Sequence, residues 1–263
     1  MLNQTERNTI LQNIYFKSRG EGPAVILLHG FCESHAIFDG LIDALSQNYR
    51  VICPDLPGHG GTPWDQGMRS MDEAAFWLRD LMDALALEQV CLVGHSMGGY
   101  IAAAFATFFP ERLNALGMLH TTALADTETR KRNRSKAIQF IEKNGVAPFL
   151  EVFVQSLFHT PQPEWIALME EITAKTNPDA VLAFTQIMRD RPDRSEVIRG
   201  LEIPVMYITG AKDALVSPER SAEELQHMPL AILKRMPEAS HMGMFEAKDK
   251  VLDALNSLME LGG

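Results

Sequence analysis

Ser96 stands in the hexapeptide Gly94-His-Ser-Met-Gly-Gly99, a G-x-S-x-G spacing, between an apolar run at 89–93 and an alanine-rich stretch at 100–109. A buried strand, a tight turn and a helix in that order present a hydroxyl at the end of the strand. Side chains at 94 and 98 would crowd such a turn, which is why glycines suit both positions. The following helix aims the positive end of its dipole at the same spot. The chemistry these residues could do is nucleophilic attack on an electrophilic carbon.

A serine hydroxyl is a poor nucleophile at neutral pH, so a histidine must lie within hydrogen-bond reach and a carboxylate must orient it. Of the eight histidines, His241 is the candidate base, because Pro237-Glu-Ala-Ser-His241 follows the last apolar run and a strand-end loop can reach over the sheet. His29, His59 and His95 sit beside glycines near strand ends and read as supports of loop geometry. His120 is a candidate for the pocket wall, while His35, His159 and His227 read as surface or packing residues. Asp213, in Gly210-Ala-Lys-Asp213, follows another apolar run and precedes His241, giving the chain order Ser, Asp, His. Asp55 is the runner-up acid, with a turn-forming role open to it in Pro54-Asp-Leu-Pro-Gly-His-Gly60. An oxyanion would need two donors, and the motif nominates the backbone N–H groups of Met97 and of Phe31, in the loop His29-Gly-Phe31.

Short Val/Ile/Leu-rich runs at 24–28, 50–53, 89–93, 115–119, 205–209 and 231–235 alternate with helical patterns, which predicts an α/β fold with a mostly parallel sheet. Segments 9–12 and 14–17 look like an antiparallel start. Ser70-Met-Asp-Glu73 has capping-box spacing and opens a helix to about residue 87. Ser217-Pro218 starts another helix, with proline at the first helical position. Residues 122–199 break the alternation with four helical patterns, at 127–144, 146–158, 163–176 and 178–191. The expected organisation is a core of 1–121 and 200–263 with an all-helical cap at 122–199.

The 263 residues are 46% hydrophobic and 22% charged, values of an ordinary globular chain with a core. A net charge of −10 argues against nucleic acid or an anionic membrane as the main partner and leaves a small-molecule substrate. The basic group Arg130, Lys131, Arg132, Arg134 and Lys136 reads as a solvated helix face, with an anionic ligand as the alternative. Cys32, Cys53 and Cys91 lack metal or disulfide spacing, and the start of the chain lacks the basic-then-apolar order of a signal peptide. The expected compartment is the cytoplasm, and no cofactor or metal is expected.

Ala24-Val-Ile-Leu-Leu-His-Gly30, Pro54-Asp-Leu-Pro-Gly-His-Gly60, Gly94-His-Ser-Met-Gly-Gly99, Gly210-Ala-Lys-Asp213 and Ser240-His241 together resemble the α/β-hydrolase superfamily. The resemblance covers nearly the whole chain outside 122–199. It implies an eight-stranded, mostly parallel sheet, a helical cap after the sixth strand, and a Ser96–His241–Asp213 triad beneath that cap. A serine at 96 separates the chain from haloalkane dehalogenases and related epoxide hydrolases, which use aspartate there. The expected function is a carboxylesterase-like serine hydrolase of an ester, thioester or lactone. The alternatives are a carbon–carbon bond hydrolase or pyruvate-eliminating lyase of the same fold, and a small-molecule receptor on that scaffold. Phe140, Phe149, Phe153, Phe158, Trp165, Met169, Phe184 and Met188 fall on apolar cap faces. Those that roof the site would favour an apolar substrate of modest size, with Phe153 and Trp165 the residues to test.

Overall fold

The computed structural model describes residues 3–228 and 230–263. Among them run seven strands, β1 Phe16–Arg19, β2 Ala24–Leu28, β3 Arg50–Pro54, β4 Val90–His95, β5 Leu113–Leu119, β6 Val205–Gly210 and β7 Ile232–Met236. They form one sheet in the order β1-β3-β2-β4-β5-β6-β7, with β1 antiparallel to β3 and the other pairs parallel. This is the expected α/β fold with one strand fewer than the eight implied. Segment 9–12 is not a strand but the end of helix α1, Gln4–Asn13. Asn3 and Glu6 cap that helix reciprocally, a start signal that outweighs the short apolar pair Ile10-Leu11.

A parallel sheet must bury both faces, and period 2 divides each strand between them. Ile26 and Leu28 of β2 join one core cluster, with residues of α3 (Met71–Ala84) and α4 (Met97–Phe108). Val25 and Leu27 join the other, with residues of α2 (Asp39–Leu45). Ser70 caps α3 by accepting from Glu73 N, but Glu73 returns its carboxylate to Arg69 N, so only half of the expected capping box forms. The helix also stops earlier than expected, and Ala86 just beyond it has φ 55°.

Between β5 and β6 the chain is helical: α5 Glu128–Asn144, α6 Ala147–Ser156, α7 Pro163–Thr173, α8 Pro178–Asp190 and a short α9 Ser195–Arg199. Thr127 and Asn177 cap α5 and α8 with their side chains, and Pro163 and Pro178 occupy first-turn positions where no donor is lost. After β6 come α10 Pro218–Leu225, capped by Ser217, then α11 Gly243–Glu246 and α12 Lys248–Gly262, whose Val251 and Leu255 cover the face opposite α3 and α4. Among the described residues no helix is long and apolar enough to cross a membrane.

The strand order decides where a ligand can sit. From β2 the chain first pairs β3 on one side, then places β4 on the other, so β2 and β4 flank the point where the winding reverses. The crevice beyond the carboxyl ends of such strands is the natural binding site of an open α/β sheet.

Candidate active site

Ser96 alone makes the turn between β4 and α4, at φ 50° and ψ −115°. A non-glycine residue in that region costs about 1–3 kcal/mol, so neighbouring bonds must hold it. Ser96 N donates to Leu119 O at 3.0 Å, and Ser96 O accepts from Thr121 Oγ1 at 2.6 Å and Gly99 N at 3.0 Å. The glycines are required by close approach: a Cβ on Gly94 would lie 2.3 Å from Gly98 O, and one on Gly98 would lie 2.4 Å from Leu28 O. Both clashes are with backbone, which cannot swing away.

The fold brings the candidates from three strand ends together. His241 Nε2 lies 2.9 Å from Ser96 Oγ, and His241 Nδ1 lies 2.9 Å from Asp213 Oδ2. Asp213 follows β6 and is clamped by its own loop, its Oδ1 accepting from Leu215 N and Val216 N, both at 2.8 Å. Burial acts to raise the Asp213 carboxyl, but the adjoining His241 charge and the contacts of His120 and His241 outweigh it and hold it well below the ordinary carboxylate range. An ionised Asp213 favours the tautomer with the proton on Nδ1, which turns the unprotonated Nε2 toward Ser96 Oγ.

Phe31 follows β2 and Met97 follows Ser96, so the two candidate oxyanion donors come from the strands that flank the winding reversal. Neither amide meets a protein acceptor among the described residues. Beneath them lies a carboxylate that the sequence reading passed over. Glu33 is buried; its Oε2 accepts from Gly30 N at 2.6 Å and from His95 Nδ1 at 2.9 Å, while His95 Nε2 lies 3.0 Å from His241 O. Burial pushes the Glu33 carboxyl up, and the charge and hydrogen bond of His95 more than reverse it, leaving it below the ordinary range. Burial pulls His95 down, but Glu33 raises it further. With an acceptor on each side, His95 carries both ring protons and ties the Phe31 loop to the His241 loop. The available sequence signal was a lone acid three residues after the His-Gly pair.

Other candidates resolve differently. Asp55 accepts from His35 N and His35 Nδ1 at 2.8 Å and from Gly61 N at 2.8 Å, which organises its own loop. His29 Nε2 accepts from Leu56 N, and His59 Nδ1 donates to Pro57 O, so both serve loop geometry. His120 is buried with its Nδ1 3.6 Å from Asp213 and does not line the cavity above Ser96. That cavity, about 410 Å³, is walled by Phe31, Tyr100, Phe149, Phe153, Met188 and Val216, with Arg130 and Arg134 from α5. Trp165 is absent from this wall, because it stacks on Phe158 at 5.6 Å and packs against Phe245. Among the described residues no group of three or more His, Cys, Asp or Glu is placed to hold a metal ion.

The chain belongs to the alpha/beta hydrolase fold family, whose sequence profile matches residues 23–248. It is similar to a thermophilic esterase from Thermogutta terrifontis, solved with malate bound, at 28% identity and a TM-score of 0.88 over 95% of this chain and 93% of that one. A pimeloyl-[acyl-carrier protein] methyl ester esterase of Nitrosomonas europaea is 24% identical over 94% of this chain and 100% of its own length. A 3-oxoadipate enol-lactonase of Acinetobacter baylyi is 24% identical over 92% of this chain and 90% of its own.

Proposed function

We propose that this chain is a cofactor-independent serine hydrolase that cleaves a carboxylic ester, thioester or lactone of small to medium size. The observation that carries the reading is the unbroken chain from Asp213 through His241 to Ser96, at 2.9 Å and 2.9 Å. Esterases and an enol-lactonase among its relatives support the bond type.

Ser96 Oγ attacks the acyl carbon as His241 Nε2 takes its proton. The oxygen that becomes negative accepts from the amides of Phe31 and Met97, and their fixed orientation stabilises the transition state without solvent rearrangement. His241 passes its proton to the departing oxygen or sulfur, leaving an acyl group on Ser96. Water then gives a proton to His241 and adds to the acyl carbon. Ser96 leaves with that proton and the acid is released.

The test is initial-rate hydrolysis of p-nitrophenyl esters from acetate to a long acyl chain. Wild-type turnover should fall about 10³–10⁶-fold in Ser96→Ala, His241→Ala and Asp213→Asn. Rates in Ser96→Ala equal to wild type across the series would overturn the reading.

A further inference from the structure

The basic segment of α5 divides into two faces. Arg130, Asn133, Arg134 and Ala137 recur at i, i+3, i+4 and i+7 and line the cavity that Ser96 and His241 also line. Arg132 and Lys136 are exposed, and Lys131 pairs with Glu128. The solvated-face expectation therefore holds for Lys131, Arg132 and Lys136, three of the five, and not for Arg130 and Arg134.

The charge on the cavity face is not balanced. Asp126, buried at the start of the cap, meets three guanidinium groups: Arg134 Nε at 2.6 Å, Arg191 Nη1 at 2.8 Å and Arg130 Nε at 3.3 Å. One carboxylate against three guanidiniums leaves an excess of two positive charges. Burial pushes the Asp126 carboxyl up, but Arg134 and Arg191 outweigh it and keep it below the ordinary range, so it stays ionised and holds the arginines from behind. Arg191 is a buried strut: its side chain is 3% exposed, Nη1 donates to Met188 O and Nη2 to Leu124 O, Nε has no partner among the described residues, and the guanidinium lies 3.8 Å above the Tyr100 ring. Arg130 and Arg134 remain 29% and 19% exposed. Arg130 Nη1 donates to Leu215 O, whereas Arg130 Nη2 and both terminal nitrogens of Arg134 meet no protein acceptor among the described residues.

A guanidinium held by its Nε from one side offers its other edge to a planar oxyanion. The facing wall of Phe31, Phe149, Phe153 and Val216 suits a hydrocarbon segment. A cavity of about 410 Å³ limits that segment to a few carbons. We propose that the site takes an ester bearing a second, ionised carboxyl group, held by Arg130 and Arg134, with a short spacer on the acyl or the alcohol side between that group and the carbonyl at Ser96. The proposal rests on the ester-hydrolase reading above and adds its substrate class. Across a molecule of net charge −10, this local excess of the opposite sign is what selects the anion.

Two matched substrate pairs test it: mono-p-nitrophenyl glutarate against p-nitrophenyl pentanoate, with the charge on the acyl side, and the butyryl ester of glycolic acid against ethyl butyrate, with it on the alcohol side. In at least one pair, wild-type kcat/KM should favour the anion by about tenfold or more. That ratio should drop at least about tenfold in Arg134→Gln or Arg130→Gln and partly return in Arg134→Lys. Calorimetric binding of glutarate, with inorganic phosphate as a second probe, is measured on wild type, Ser96→Ala and Arg134→Gln, each checked for native circular dichroism. Glutarate should bind the first two and weaken at least about tenfold in the third. A ratio near one in both pairs, glutarate binding unchanged in Arg134→Gln, or phosphate binding in place of glutarate each overturns the proposal. Glutarate binding that depends on Arg134 in a protein with no Ser96-dependent ester turnover would overturn the ester-hydrolase reading and leave the carboxylate subsite standing.

Discussion

At the scale of single residues the site depends on groups that do no chemistry. Ser96 occupies a costly conformation that bonds to Leu119, Thr121 and Gly99 hold in place, and His241 depends on a loop whose carbonyl is gripped by His95. The buried Glu33–His95 pair therefore contributes both to stability and to placement of His241. Glu33→Ala would leave a buried imidazolium without its carboxylate and Gly30 N without its acceptor. The expected loss is about 3–5 kcal/mol of unfolding free energy, read from urea unfolding. A loss below about 1 kcal/mol would show that His95 sheds its second proton in the folded state, contrary to the bonding described.

At the scale of elements, helix α6 sets the depth of the cavity. Phe153 lies stacked on Phe149 at 6.1 Å and edge-on to Phe31 at 5.6 Å, on the wall above Ser96. Trp165 of α7 belongs to a separate cluster with Phe158 and Phe245. Phe153→Ala should move the acyl-chain optimum to longer chains, whereas Trp165→Ala should lower the melting temperature and leave the optimum in place. An ester series and a thermal melt on each variant check this, and an optimum unmoved by Phe153→Ala removes that ring from the wall. Helical spacing identified both residues as apolar face positions, but only the packing of α6 and α7 on different partners separates their roles.

At the scale of the whole molecule, stability should depend steeply on acid. Glu33, Asp55, Asp126 and Asp213 are all held below their ordinary values by charged or hydrogen-bonding neighbours that outweigh burial. For a carboxylate depressed in the folded state, the stabilisation is present above its unfolded value and lost as pH falls through the folded one. Glu224 has the opposite sign: burial holds it above its ordinary value, so its contribution is full below the unfolded value and lost as pH rises through the folded one. With four buried carboxyls depressed against one buried carboxyl raised, the urea midpoint should fall steeply between about pH 5 and pH 3. A flat midpoint across that range would mean that the four carboxylates keep the same affinity for protons when the chain unfolds.

The Ser96 turn, its glycines, the Asp213 and His241 loops and most strands were legible in the sequence, because each is encoded locally: a tight turn needs small residues, and a buried parallel strand needs a continuous apolar run. Helix starts at Ser70, Thr127, Asn177 and Ser217 were equally local, since a cap is a contact between residues two or three apart. The seventh-strand limit of the sheet, the grip of Glu33 on His95 and the division of the α5 arginines were not. Each depends on residues far apart in the chain, 62 for Glu33 and His95 and 65 for Asp126 and Arg191, meeting only once the sheet order is set. Charge and apolar character are properties of residues, whereas burial, pairing and an uncompensated excess are properties of their packing. That is why a motif could nominate the base and its acid, while the preference for a carboxylate-bearing substrate could be argued only from the folded chain.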